Sequence, residues 1–180
     1  MDANQSTLRQ TIYASLFTAL IIVGGYLSFP VPWSPVPLVL ADFFILLAGL
    51  VLGPAWGLTS AGLYLLLGLI GLPVFAGGKS GIATLFGPTG GFLIGYLGLT
   101  FITGWIAHRG KTTRWRDGVA AGLGLVTLFT LGLVWLGFSL KLTLAKTLAI
   151  GLLPFLPGTL IKLLAALAVI RPLRSIITPQ

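Results

Sequence analysis

The segment from Gly71 to Tyr96 constrains this chain more than any other, because it is rich in glycine yet almost as apolar as the sequence on either side. Eight of its 26 residues are glycine and two are proline, and these residues cost a helix interior about 1 and about 3 kcal/mol, respectively, relative to alanine. Lys79 is its only charged residue. An irregular segment at membrane depth must pack on protein or cover a bound molecule, because unpaired backbone groups are costly there. We interpret residues 73–88 as a lid over a small-molecule site.

The composition indicates an integral membrane protein. Hydrophobic residues make up 56% of the 180 residues and charged residues only 8%, whereas about 25% of a soluble domain is charged. Each membrane span needs about 20 residues, so the chain has room for about six. The expected fold is an all-α bundle of six transmembrane helices, forming a single domain over residues 1–180, with the glycine-rich loop on the outer side between helices 3 and 4.

Glycine and proline place the boundaries of these helices. Four prolines between residues 30 and 37 forbid a helix there, Gly53-Pro54 ends the second helix, and a Pro-Gly-rich break covers residues 153–158. A short interfacial helix is expected over residues 138–153, which contain Lys141 and Lys146. The six predicted spans cover about residues 11–29, 38–52, 55–72, 89–107, 118–136 and 159–171.

The placement of Lys and Arg predicts the orientation, because cytoplasmic loops of membrane proteins carry an excess of positive charge. With six spans, Arg9, the basic loop Arg109–Arg116 (with Lys111 and Arg114), Arg171 and Arg174 fall on one side. We therefore expect a multi-pass protein of the cell membrane with both termini in the cytoplasm. The net charge of +8 reflects these loops, and nucleic acid is not an expected partner.

Charges inside the spans indicate function, because each costs a few kcal/mol near the bilayer centre. Asp42 and Lys162 each lie about one turn from the outer end of a predicted helix, and Lys79 lies in the lid. Two readings stay open: Asp42 and Lys162 form a structural pair between helices 2 and 6, or they contact a ligand in a shared outer vestibule. Lys79 is a ligand contact or a solvated loop lysine.

Aromatic residues of the outer loops are candidates for an apolar pocket wall, although interfacial aromatics are common in membrane proteins. The candidates are Trp33, Phe75, Phe86 and Phe155.

The sequence argues against an enzyme and against a metal or other cofactor. There is no cysteine, one histidine and three acids, namely Asp2, Asp42 and Asp117. Gly78-Lys79-Ser80 resembles the end of a phosphate-binding loop, but that motif needs a glycine where Pro73 stands. The same residues resemble the serine motif of an intramembrane protease, but the only candidate base, His108, is expected at the other membrane face.

Five motifs together resemble the BioY family, the substrate-capturing S components of biotin transporters of the energy-coupling-factor (ECF) type. They are Pro35-Val-Pro, Leu47-Ala-Gly-Leu-Val-Leu-Gly-Pro54, Gly68-Leu-Ile-Gly-Leu-Pro-Val-Phe-Ala-Gly-Gly78, Leu85-Phe-Gly-Pro-Thr-Gly-Gly91 and Pro154-Phe-Leu-Pro-Gly158 followed by Lys162. The resemblance implies biotin as ligand, and as partners a transmembrane coupling protein and two ABC-type ATPases. It also implies that a small-xxx-small pair on helix 1, here Ser15 and Ala19, docks on the coupling protein.

The chain departs from the family pattern at the candidate site. Thr159 stands where an acid usually precedes the helix 6 lysine, and Val39 and Ala41 replace Thr and Gln on helix 2, followed by Asp42. Asp42 therefore supplies the missing carboxylate, or the change marks a different vitamin or a biotin precursor as ligand. An alternative from another class is a structural or assembly-factor membrane protein whose lid glycines serve packing.

Overall fold

The computed structural model describes residues 3–110 and 113–177, an all-α bundle with one small β-hairpin. Asp2 and Lys111 lie outside the described residues. Strands β1 (Ser28–Phe29) and β2 (Leu38–Val39) pair antiparallel across the proline loop, and a 3₁₀ turn covers Ala76–Gly78. The helices are α1 (Ala3–Tyr26), α2 (Ala41–Leu69), α3 (Ile82–Phe86), α4 (Gly90–Ala107), α5 (Arg114–Leu140), α6 (Leu144–Gly151) and α7 (Leu156–Ile177).

Helix α2 reverses direction at Gly53, so that the predicted break after Leu52 is confirmed. Gly53 has φ +82°, a conformation that favours glycine, and Pro54 follows it. A Cβ atom built on Gly57 would lie 3.2 Å from the Ala48 carbonyl oxygen, whereas nine residues of a straight helix span about 13 Å. The two arms, residues 41–52 and 54–69, therefore pack against each other as a helical hairpin.

Arg174 stabilises the backbone at this reversal. In a continuous helix the Leu50 carbonyl would accept from the N–H of residue 54, but proline has none. Arg174 donates instead, from Nε at 3.1 Å and Nη2 at 2.6 Å. The same guanidinium pairs with the buried carboxylate of Asp117, with Nη2 2.9 Å from Oδ1. One side chain of α7 thus joins the reversal of α2 to the first turn of α5.

Helix α1 begins at Ala3, eight residues before the predicted start at residue 11. Residues 5–10 include Gln, Leu and Arg, which favour helix. The extension is held at its base by Arg9, whose Nη2 donates to the Ile177 carbonyl at 2.7 Å. Because α1 begins at Ala3, Ser15 and Ala19 lie near its middle, whereas the predicted start at residue 11 placed them in its first half.

The lengths and hydropathy of the helices agree with the predicted all-α membrane protein. By length and composition, α1, α2, α4 and α5 of the described residues pass as membrane spans, α2 only when its two antiparallel arms are counted as one helix, and the pair α6 and α7, bent by 53°, makes a fifth candidate. The short helix expected over residues 138–153 is α6, which covers only Leu144–Gly151 because α5 continues to Leu140. Helix α4 begins at Gly90, within one residue of its predicted start. Helices α5 and α7 extend several residues beyond their predicted ends.

Candidate ligand-binding site

A cavity lies at the end of the bundle where the irregular segments meet. It encloses about 740 Å³ of space free of protein atoms, including its open mouth. The proline loop contributes Val36 and Pro37, the lid contributes Ala76 and Lys79, and the break before α7 contributes Phe155. These three segments therefore converge on one cavity.

The first half of the lid is folded tightly onto α2. The Gly81 N–H donates to the Gly68 carbonyl at 2.7 Å, and the Phe75 N–H donates to the Lys79 carbonyl at 3.0 Å. The Phe75 ring is buried and lies directly over Gly68, where a Cβ atom would overlap it. The ring also meets Tyr64 edge to face, with centroids 5.5 Å apart. Glycine at position 68 is therefore what allows Phe75 to enter the cavity wall.

Both ends of the lid are attached to long helices. The Tyr26 hydroxyl donates to the Pro73 carbonyl, and the Trp135 indole N–H donates to the Gly87 carbonyl at 2.9 Å. Between these anchors, Gly77 and Gly78 have positive φ and no atoms within 4 Å of a Cβ position. The lid combines fixed ends with an open, glycine-built middle.

Asp42 and Lys162 form an ion pair on the cavity wall. Lys162 Nζ lies 2.5 Å from Asp42 Oδ2, and 15% and 12% of the two side chains are exposed. Lys162 also donates to the Val39 carbonyl at 3.1 Å, and Asp42 Oδ1 accepts the Phe43 N–H at 2.9 Å. The pair holds the start of α2 against α7, in agreement with the hypothesis of a structural pair between predicted helices 2 and 6.

This pair retains capacity for a ligand. A lysine ammonium has three donor protons and a carboxylate has about four acceptor sites. Lys162 uses two protons and Asp42 two acceptor sites in the contacts above, and both residues line the cavity. A bound molecule can therefore receive one hydrogen bond from Lys162 and give one or two to Asp42 without separating them. The hypothesis of a structural pair and the hypothesis of ligand contact by Asp42 and Lys162 are therefore compatible.

The other predicted site residues are placed differently. Phe75 and Lys79 line the same cavity as the ion pair, and Lys79 is exposed, with no ion-pair partner among the described residues. Thr159 is buried one turn before Lys162 and does not line the cavity. Trp33 is 66% exposed on the proline loop and does not line the cavity. The structure brings Asp42, Lys162, Lys79 and Phe75 together and leaves Thr159 and Trp33 outside.

Several lining residues had no individual prediction from the sequence. The hydroxyl-bearing ones are Tyr64, Tyr96, Thr84 and Thr89, and the apolar ones include Phe92, Leu93, Leu128 and Phe129. Three of them, Thr89, Phe92 and Tyr96, recur at the three- and four-residue spacing of one helix face. That spacing directly after the lid is the signal from which they could have been found.

A sequence model of the BioY family matches residues 1–178. This chain belongs to the BioY family. BioY proteins are transporter S components and not enzymes, and the several apolar helices described above agree with a multi-pass membrane protein.

Individual BioY proteins match nearly the whole chain. The biotin transporter BioY of Thermotoga maritima is 42% identical over 161 residues, covering 88% of this chain and 92% of that protein. The biotin transporter BioY of Lactococcus lactis subsp. cremoris is 36% identical over 178 residues, covering 96% and 94%. The crystal structure of the S component for biotin from an ECF-type ABC transporter superposes with a TM-score of 0.90 at 34% identity, covering 97% and 95%.

The α1 surface that the BioY resemblance assigns to partner docking is open in this structure. Ser15 and Ala19 are exposed, and large apolar side chains on the same side, including Ile12, Leu16 and Val23, are more than half exposed. The opposite side of α1 is buried against α2. The small-residue pair is therefore available to a second helix.

Proposed function

We propose that this protein captures biotin at the outer face of the cell membrane and carries it inward together with an ATP-driven energy-coupling module. The observation that carries this proposal is the composition of the cavity. Aromatic rings form an apolar wall, and the Asp42–Lys162 pair and Lys79 bring three charged groups to its surface. Biotin has matching parts: an apolar bicycle, a ureido group with two N–H donors and one carbonyl, and a carboxylate.

The charges favour one orientation of biotin. The ion pair presents a donor beside an acceptor, which matches the adjacent carbonyl and N–H of a ureido group. The pair is electrically neutral, so it attracts a carboxylate less than an unpaired ammonium does. Lys79, at the same cavity without an ion-pair partner in the described parts of the chain, is the better site for the valerate carboxylate. We assign the ureido group to Asp42 and Lys162 and the carboxylate to Lys79.

We further propose six membrane crossings with both termini in the cytoplasm. The two arms of the α2 hairpin supply two of them, and α1, α4, α5 and α7 supply the others. The inner ends then carry Arg9, Arg114, Arg171 and Arg174, which agrees with the positive-inside rule. The cavity opens on the opposite side, toward the outside.

The energy for release must come from partners. The membrane bundle described by residues 3–110 and 113–177 has no nucleotide-binding fold, and release of a tightly held ligand toward the cytoplasm requires work. We propose that a transmembrane coupling protein with two ABC-type ATPases supplies it, and that the coupling protein packs on Ser15 and Ala19. Small residues let two helix backbones approach closely in a membrane.

Identification of the co-purified ligand tests the proposed function most directly. We expect the purified protein to release biotin on denaturation, detected by mass spectrometry, and added biotin to raise the melting temperature of ligand-free protein, as ligands that bind only the folded state do. Desthiobiotin, a precursor without the thioether ring, and an unrelated vitamin such as riboflavin serve as competitors. Release of another compound, with no response to biotin, would assign the chain a different ligand. No ligand at all would favour a structural role.

Cysteine labelling tests the orientation, and the chain contains no native cysteine. Single cysteines at Ser34, Ser80 and Lys146 are expected to react with a membrane-impermeant maleimide in intact cells. Cysteines at the exposed positions Thr113 and Ser175 should react only after the cells are permeabilised. Labelling of Thr113→Cys in intact cells would reverse the proposed orientation.

A further inference from the structure

A lateral groove separates the inner ends of α5 and α7. It is lined by Arg114, Trp115, Gly118, Val119 and Leu167. The groove exists because α5 carries glycine on the side facing α7. A Cβ atom on Gly118 would meet only Leu167 Cδ1, at 4.0 Å, and at Gly122, one turn further along α5, nothing lies within 4 Å. The Asp117–Arg174 pair joins the two helices on the side of this level that faces their inner ends. On the other side of this level the helices stand apart.

Two arginines flank the groove at the same level. Asp117 of α5 pairs with Arg174 of α7, whereas Leu128 of α5 and Lys162 of α7 line the same cavity, so α5 and α7 run antiparallel. One helical turn toward the inner end from Gly118 is Arg114, and one turn toward the same end from Leu167 is Arg171. Both arginines are exposed, and neither has an ion-pair partner in residues 3–110 and 113–177. Arg174, by contrast, is committed to Asp117 and Leu50.

The surroundings indicate a lipid rather than a soluble ligand. Between the arginines and the membrane centre the walls of the groove are apolar. The groove opens sideways, on the lateral surface of the bundle. Trp115 is 82% exposed at its mouth, and tryptophan is enriched where a membrane meets water. Basic pockets between helices on the cytoplasmic side suit anionic lipid headgroups, and guanidinium groups bind phosphate through paired hydrogen bonds.

We propose that this groove binds an anionic phospholipid of the inner leaflet. One acyl chain lies against Gly118, Gly122 and Leu167, and the phosphate lies between Arg114 and Arg171. This assignment rests on the orientation given under Proposed function, which places both arginines on the cytoplasmic side, and it is independent of biotin binding.

Native mass spectrometry of the detergent-purified protein, with dioleoyl phosphatidylglycerol or dioleoyl phosphatidylcholine added, tests the proposal. We expect the wild type to retain phosphatidylglycerol preferentially. Each arginine near an anionic headgroup is worth about a fivefold change in affinity. Arg114→Gln/Arg171→Gln should therefore lower phosphatidylglycerol retention about 20- to 30-fold. Biotin binding should be unchanged, which reports that the variant is folded.

Two further variants distinguish lipid binding in this groove from a general effect of positive surface charge. Arg109→Gln removes an equally basic residue that stacks on Trp105, 3.4 Å from its ring centroid, and should change retention less than twofold. Gly122→Leu fills the groove without altering charge, in space that is open, and should lower retention as strongly as the arginine pair.

Three results would overturn the proposal: equal retention of the two lipids by the wild type, an Arg109→Gln effect as large as that of the double variant, or normal retention by Gly122→Leu. Bromine-labelled phosphatidylglycerol provides a second measurement in vesicles. It should quench the fluorescence of the wild type more than that of Trp115→Phe, and equal quenching of the two would also contradict the site. Photocrosslinking from position 167 to the coupling protein, in place of lipid, would assign the groove to that partner instead.

Discussion

Replacing Ala19 with tryptophan is expected to abolish biotin uptake while leaving biotin binding by the isolated protein intact. Ala19 is exposed on the middle of α1. Close approach of two helix backbones in a membrane depends on small residues at the contact, so an indole there keeps the coupling protein away. The cavity is lined by other elements. Uptake of radiolabelled biotin by cells with the complete module, together with co-purification of the coupling protein, measures the loss.

A matched control separates steric exclusion at the docking face from general disturbance of the bundle. Thr130 is exposed on α5, away from α1. Thr130→Trp should bind biotin, assemble and transport like the wild type, whereas Ser15→Trp should behave like Ala19→Trp. If Ala19→Trp still assembles and transports at the normal rate, α1 is not the docking face. If it loses biotin binding as well, the defect is in folding.

Part of the site could be located from sequence because intramembrane charges are rare and costly. Asp42 and Lys162 are 120 residues apart in the chain, and their shared depth predicted either an ion pair between helices 2 and 6 or contacts with one ligand. The structure shows the ion pair, with 2.5 Å between Nζ and Oδ2. Their role in ligand binding stays a prediction, to which the contacts add one point: the pair can be structural and still offer hydrogen bonds to a ligand.

Other parts of the site could not be assigned from sequence because the same residue types serve the core. Tyr64 and Tyr96 line the cavity, 6.3 Å apart between ring centroids, yet each stands in an apolar run like any packed aromatic residue. Trp33 illustrates the opposite case, since a loop aromatic was expected in the wall and lies 66% exposed outside it. Only tertiary packing decides which aromatic side chains face a cavity.

The fold, like the site, has features that could be predicted from the sequence and features that could not. The reversal at Gly53-Pro54 was predictable because the chemistry of these two residues excludes a straight helix. The two-residue strands of the β-hairpin and the five-residue helix α3 were not, because elements this short lack a periodic pattern. The extra turns of α1 combine local helix formers in residues 5–10 with a long-range contact from Arg9 to the end of α7, and the local sequence does not reveal the contact.

Asp42→Asn is expected to weaken biotin binding by roughly 10- to 150-fold. The change removes the charge that holds Lys162 and replaces an acceptor-only group with one that also donates. Loss of a hydrogen bond to a charged group costs about 1.5–3 kcal/mol, which corresponds to that range of dissociation constants. Isothermal titration with ligand-free protein measures it. Lys162→Ala should act similarly, because the ureido carbonyl loses its donor.

The melting temperatures of these variants separate a ligand role from a purely structural one. If Asp42→Asn and Lys162→Ala bind biotin normally and only their melting temperatures fall, the pair serves packing alone. A second-site variant adds a sharper test. Thr159 lies one turn before Lys162 on α7, so Thr159→Asp in the Asp42→Asn background can supply a carboxylate to the same ammonium. Recovery of part of the lost affinity is expected if the acid has moved between helices.

Comparison of biotin with biotin amide tests the assignment of the carboxylate to Lys79. Lys79→Gln should weaken biotin binding by about 10-fold or more, because a charge-assisted hydrogen bond is lost, but should leave the affinity for the neutral amide within about twofold. Asp42→Asn should weaken both ligands equally, since the ureido group is common to them. Lys146→Gln, at an exposed position outside the cavity, controls for the change in net charge and should affect neither. The opposite pattern, in which Lys162 variants discriminate between acid and amide and Lys79→Gln does not, would place the carboxylate at the ion pair and reverse the proposed orientation of biotin.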